Sequence, residues 1–150
     1  MSIDDASLRE RLPVEGALDL ARVLEFYLHG RSASDSVLLI GYSRGADVLP
    51  FMVNRLPSAL RARVAAVTLI APGRGSRVPD SVADWLSHRR TAAAGLPLLC
   101  LYGEGDGESL CPQISPSLAK SMQIGSGHHL GGDYETIAGH ILMFAESQWK

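Results

Sequence analysis

The chain has 150 residues, 46% of them hydrophobic, and a formal net charge of −2. That is enough chain for one globular domain with its own core, and the near-neutral charge argues against general nucleic-acid binding. No stretch approaches the ~20 apolar residues of a membrane-spanning helix, and Met1-Ser2-Ile3-Asp4-Asp5 carries no basic segment followed by an apolar one, so no signal peptide is expected.

Residues 1–12 are polar and are expected to form a flexible lead-in to a single domain spanning 1–150. Pro13 is expected to open a helix, because proline is favoured at the first helical position. Its apolar positions Val14, Ala17, Leu18, Ala21, Leu24 and Leu28 recur at three- and four-residue steps. Gly30 ends it, and 32–36 form a polar loop. Val37, Leu38, Leu39 and Ile40 then make an unbroken apolar run, the pattern of a parallel strand covered on both faces. The next helix is expected to bury Val48, Leu49, Met52, Val53 and Leu56, to bend at Pro50 and to end at Pro57.

Ser58 to Arg63 read as a short helix or turn, and Val64 to Ile70 as a second buried strand. A helix is predicted over 80–94, with Val82, Trp85 and Leu86 inward. Leu96 to Tyr102 form a third strand, Pro116 to Met122 a short helix and Met122 to Ile124 a short fourth strand. Asp133 caps a last helix that buries Ile137, Ile141, Leu142, Phe144 and Ala145. This alternation predicts an α/β fold of about four parallel strands with helices on both faces.

Chemistry concentrates where such strands end. Gly41, Ser43 and Gly45 spell G-x-S-x-G between the first strand and the helix after it. In a nucleophile elbow the serine occupies a strained turn, so its neighbours must be small, and the following backbone N–H, here that of Arg44, faces the oxyanion. A serine that merely caps a helix is the alternative. Asp106 follows the third strand between Gly105 and Gly107, and His128 follows the fourth in Gly125-Ser126-Gly127-His128-His129. Ser43, His128 and Asp106 are therefore the candidate nucleophile, base and orienting acid, in the chain order Ser, Asp, His of the α/β-hydrolases. His129 rivals His128, and Glu104 and Glu108 are substitute acids. No Cys or His stands at the usual zinc spacing, so neither metal nor cofactor is expected.

Between 55 and 90 the chain carries Arg55, Arg61, Arg63, Arg74, Arg77, Arg89 and Arg90 against Asp80 and Asp84. This reads either as a solvated basic surface or as a site for an anionic substrate. Tyr42, Arg74 and Arg77 are the candidate substrate contacts. Cys100 and Cys111 flank the loop with Asp106, and the spacing fits either a bridge or two free, half-buried thiols.

Gly41-Tyr42-Ser43-Arg44-Gly45-Ala46-Asp47-Val48-Leu49-Pro50-Phe51, with Asn54-Arg55-Leu56-Pro57 behind it, resembles the elbow of the bacterial virulence protein VirJ/AcvB family. Leu99 to Glu104, Cys111-Pro112, Gly127-His128-His129 and Gly132-Asp133-Tyr134 resemble its later blocks, so the likeness runs from about residue 14 to the end. It implies an α/β-hydrolase fold, of which this chain corresponds to the C-terminal part. It also implies a periplasmic setting, a link to type IV secretion, and hydrolysis of lysyl-phosphatidylglycerol, an aminoacyl ester on an anionic lipid. By motif it carries the catalytic positions onto Ser43, Asp106 and His128, and it matches Cys100 and Cys111 to family cysteines that an exported setting would allow to pair.

Two departures stand out. Arg44 replaces an expected large apolar residue, and the earlier strands of the fold, with the loop that gives a second oxyanion donor, are expected to be missing. Strand 37–42 would then be a sheet edge and a template for a two-fold dimer. The expectation is a serine hydrolase acting on an ester or lipid headgroup at an anionic membrane surface. The competing one is a non-catalytic interaction module.

Overall fold

The computed structural model describes residues 5–74 and 96–148, with side chains throughout except at 5–13. Helix α1 covers Asp5–Leu28 and leads through a polar loop into strand β1, Val37–Tyr42. Helix α2, Arg44–Asn54, follows at once, then the single turn α3, Ser58–Arg61, and strand β2, Val64–Ile70. Strands β3, Leu98–Glu104, and β4, Lys120–Ser126, precede the last helix, α4, Tyr134–Gln148.

The four strands form one sheet in the order β1-β2-β3-β4, and every pairing is parallel. Successive strand residues point to opposite faces, so each buried strand feeds two cores. Leu39, Val67, Leu69, Leu98 and Cys100 pack with Ala21, Leu24 and Leu28 of α1 and Leu49 and Val53 of α2. On the other face Leu99, Leu101 and Ile124 pack with Ile137 and Ile141 of α4. Leu69, Leu99 and Leu101 are wholly buried, each contributing about 1.5–3 kcal/mol relative to exposure. This is the predicted α/β architecture, helix layers on both sides of a parallel sheet.

The helices differ from the sequence reading in register and extent. Helix α1 starts at Asp5, well before Pro13, because 6–12 are mostly strong helix formers. Its buried stripe is narrow, Ala17, Ala21, Leu24 and Leu28, while Val14 and Leu18 face solvent. The helix packs mainly against α2, and its narrow stripe joins the same core as β1 to β3. In α4, Leu142 is likewise exposed rather than buried. Helix α2 runs continuously through Pro50, which is fully buried.

The helix expected over 116–122 is replaced by a turn and the start of β4. Ser115 Oγ meets the Ser117 N–H and hydroxyl, a local alternative to helical bonding, and Leu118 N–H donates to Ser115 O at 2.8 Å. Strand β4 is correspondingly longer than expected. The predicted helix at 80–94, with Arg89 and Arg90, lies outside the described residues, as does Arg77.

Among the described residues no strand pairs with the outer side of β1, so the strand that leads into Ser43 is an edge. Helix α4 packs on β2, and Ile40 of β1 is left half exposed.

Candidate active site

The carboxyl ends of β1, β3 and β4 open on one side of the sheet, and each carries one polar side chain of interest. At the end of β1, Ser43 has φ 52° and ψ −117°, a backbone conformation that costs a non-glycine residue roughly 1–3 kcal/mol. Ser43 N–H donates to Ile70 O at 2.9 Å, and Asp47 N–H donates to Ser43 O at 3.1 Å, closing the first turn of α2. The turn is so sharp that a Cβ at Gly41 would sit 2.6 Å from Gly45 O, whereas one at Gly45 would meet nothing within 4 Å. Of the two motif glycines, only Gly41 is required by space.

A strand feeding directly into an eleven-residue helix leaves the first-turn N–H groups without intrahelical acceptors. The Arg44 N–H leads that turn, and the helix dipole adds positive potential at the same end. Anionic oxygen beside Ser43 would be stabilised there.

After β3 the chain turns at Gly105, with φ 75°, and Asp106 N–H donates to Gly103 O. The Asp106 side chain is 6% exposed. Its Oδ1 accepts from Glu108 N–H at 3.3 Å, and its Oδ2 accepts from His128 Nδ1 at 3.3 Å. Glu104 and Glu108 are solvent-exposed. The other ring nitrogen of His128, Nε2, lies 3.0 Å from Ser43 Oγ. The three side chains thus form one line, hydroxyl to imidazole to carboxylate.

Glycines set this approach. Gly125 has φ 59°, and a Cβ there would overlap Leu130 O; a Cβ at Gly103 would overlap Gly127 O. Gly127 N–H donates to Glu104 O at 2.8 Å, fastening the histidine loop to the end of β3.

His129, the rival base, is turned elsewhere. Its Nδ1 is 2.6 Å from the Tyr42 hydroxyl, and its ring meets the His128 ring edge-on at 5.7 Å. Desolvation, reinforced by Tyr134 and Asp106, holds the Tyr42 phenol above its ordinary value. The phenol therefore stays protonated in its hydrogen bond with His129 Nδ1.

Arg74 has structural partners. Its Nε donates to Ser109 O at 3.2 Å and its N–H to Glu108 O at 2.9 Å. Turned so that its oxygen faces the guanidinium, the Gln113 amide accepts from Nη1 and Nη2 at 3.2 Å each.

Cys100 and Cys111 form a disulfide, with Cα atoms 5.5 Å apart, across the loop that carries Asp106. One residue was missed in the sequence: Asp47, 8% exposed, whose Oδ1 accepts from Gly73 N–H at 2.8 Å. Its signal was a charge flanked by Ala46, Leu49, Pro50 and Val53 on the inward face of α2.

A parallel sheet between helix layers, with serine, aspartate and histidine after β1, β3 and β4 in that chain order, defines an α/β-hydrolase-like protein. The sequence model of the family described as bacterial virulence protein (VirJ) matches residues 7–148. The chain belongs to that family. Neither the curated proteins nor the solved structures gave a match.

Proposed function

We propose that the protein is a serine hydrolase of an ester. The observation that carries this reading is the 3.0 Å separation of Ser43 Oγ and His128 Nε2, with Asp106 at the far ring nitrogen. His128 takes the Ser43 proton as Oγ bonds to the ester carbonyl carbon, and the imidazolium then gives that proton to the leaving alcohol as its C–O bond breaks. Water, deprotonated by the same imidazole, releases the acid and restores Ser43. Asp106 fixes the ring tautomer and balances the imidazolium charge. The Arg44 N–H is the oxyanion donor.

The substrate proposed from the family likeness is the aminoacyl ester of lysyl-phosphatidylglycerol, met at an anionic membrane surface. The exposed Tyr42 ring lies 5.7 Å from the His128 ring, which supports a substrate contact. The guanidinium partners of Arg74 favour a clasp on the Asp106 loop over a headgroup contact. An exported, periplasmic setting fits the Cys100–Cys111 bridge, since disulfides persist in oxidising compartments.

One observation favours a second reading, a non-catalytic interaction module associated with type IV secretion. Strand β1 is a sheet edge among the described residues, so no neighbouring strand end there offers a second oxyanion donor. Loss of one such donor costs ~10²–10³ in rate. Turnover of a soluble chromogenic ester and of lysyl-phosphatidylglycerol in vesicles separates the two. The hydrolase releases product from at least the soluble ester and loses this in Ser43→Ala; the module releases none.

A further inference from the structure

Ser43 and Asp106 follow β1 and β3, with β2 between those strands, so something must hold their loops at a fixed spacing. The segment leaving β2 spans the gap. Ala71 exits the strand at φ 49°, and Ala71 N–H donates to Leu101 O at 2.8 Å. Pro72 O accepts from Leu110 N–H at 2.9 Å, Gly73 pairs with Ser109 in an antiparallel bridge, and Arg74 N–H donates to Glu108 O. Ser109 N–H in turn donates to Asp106 O at 3.2 Å. Residues 72–74 are thus laced to the acid loop along their length.

On its other side this strap meets α2. Gly73 N–H donates to Asp47 Oδ1 at 2.8 Å, while the Asp47 N–H closes the elbow on Ser43 O. One residue therefore grips both loops, the nucleophile turn through its backbone and the acid loop through its side chain. A carboxylate at this depth is costly to keep. Burial pushes it above the ordinary carboxylate range, against the Gly73 hydrogen bond and the nearby charges of Arg44 and His128. Ester hydrolysis makes no chemical use of it.

We propose that Asp47 is a positioning residue that holds Asp106 in register with Ser43, acting through the 72–74 strap and its pairing with residues 108–110. Its kinetic consequence rests on Ser43 being the nucleophile; the brace itself does not.

The test compares the whole chain with Asp47→Asn, which keeps an oxygen acceptor for Gly73, and Asp47→Ala, which removes it. The first readout, amide hydrogen exchange by NMR, is independent of activity. Loss of a hydrogen bond to a charged group predicts about tenfold to a hundredfold faster exchange in Asp47→Ala at Gly73, Ser109 and Leu110. Amides of β1 stay at wild-type rates, and Asp47→Asn stays within about threefold of wild type throughout. The second readout is turnover of a soluble ester. Asp47→Ala lowers kcat about tenfold or more with KM nearly unchanged, and Asp47→Asn restores most of it.

Ser109 and Leu110 exchanging in Asp47→Ala at the wild-type rate would overturn the brace, even if Gly73 alone were released. A wild-type chain with no turnover would count against the hydrolase reading and leave the exchange result to decide the brace. Accelerated exchange with kcat intact would show a brace that does not position the site.

Discussion

Ser43 Oγ lies 3.0 Å from His128 Nε2, although 85 positions separate the two residues in the chain. The contact exists because a sharp turn at the end of β1 lifts the hydroxyl, and a glycine-lined turn after β4 brings the ring back across β3 and β2. Only the first half is a strained local choice: Ser43 sits at φ 52°, whereas Gly125 and Gly127 take φ 59° and 67° without steric cost. Backbone strain kept at a strand end marks a place where side-chain placement outweighs local stability.

If that line of contacts is the machinery, the two adjacent histidines should behave very differently. His128→Ala should lower kcat on a soluble ester by ~10²–10⁴, the span of general acid–base catalysis. His129→Ala should cost less than about tenfold, because its bond to Tyr42 orients the loop without touching Ser43. Asp106→Asn should fall with His128→Ala. Steady-state kinetics on purified variants check this, and equal losses at 128 and 129 would remove the distinction.

The motif glycines should separate as cleanly. Gly45→Ala meets open space in the first turn of α2 and should raise stability by about 0.4–1 kcal/mol through unfolded-state entropy. Gly41→Ala drives a Cβ to 2.6 Å from Gly45 O and should destabilise by more than that. Thermal denaturation of both variants is the measurement.

The Cys100–Cys111 bridge closes a short loop, with the cysteines eleven positions apart, and should contribute about 3 kcal/mol. In a chain of this size that corresponds to a fall in Tm of roughly 6–12 °C on reduction. The oxidised and reduced protein are compared by calorimetry, with Cys100→Ala/Cys111→Ala as the control that dithiothreitol should not affect. An identical Tm with and without reductant would show that the bridge does not constrain the fold.

Asp47 gives a pH dependence whose sign is fixed by its direction of shift. Burial raises its folded value above the unfolded one, so the native state binds the proton more tightly. The group's contribution is then most favourable in acid and declines as pH rises through the folded value. Asp47→Asn carries no charge and escapes that penalty. It should be more stable than wild type near neutrality, and the difference should shrink as pH falls toward about 4, the ordinary aspartate range. Melting curves from pH 4 to 8 read this directly. A gap that widens in acid would contradict the burial account.

Much of this was legible in the chain. An unbroken apolar run marked β1 and a mostly apolar one β2, Gly-x-Ser-x-Gly marked the turn, and the Thr136 N–H and hydroxyl bonds to Asp133 match the expected cap of α4. The choice of His128 over His129 rested on the glycines before it, and the geometry follows from them. Helix registers were harder, because apolar periodicity does not say how wide a stripe the partner covers. Leu18 and Leu142 fit the period and face water. The turn at 115–118 escaped notice because serine hydroxyls bonding their own backbone compete with a helix that composition alone allows. The role of Asp47 is not a local one. A lone charge between buried neighbours is visible in sequence, but its partner, the Gly73 N–H, is a tertiary contact.

The central claim is that Ser43 is an activated nucleophile, and covalent capture tests it most directly. The protein is incubated with a fluorophosphonate probe, digested and mapped by mass spectrometry. The account predicts one adduct, on Ser43 Oγ, formed by the wild type, slowed in His128→Ala and absent in Ser43→Ala. No adduct at high probe concentration, or labelling that persists in Ser43→Ala, would contradict it.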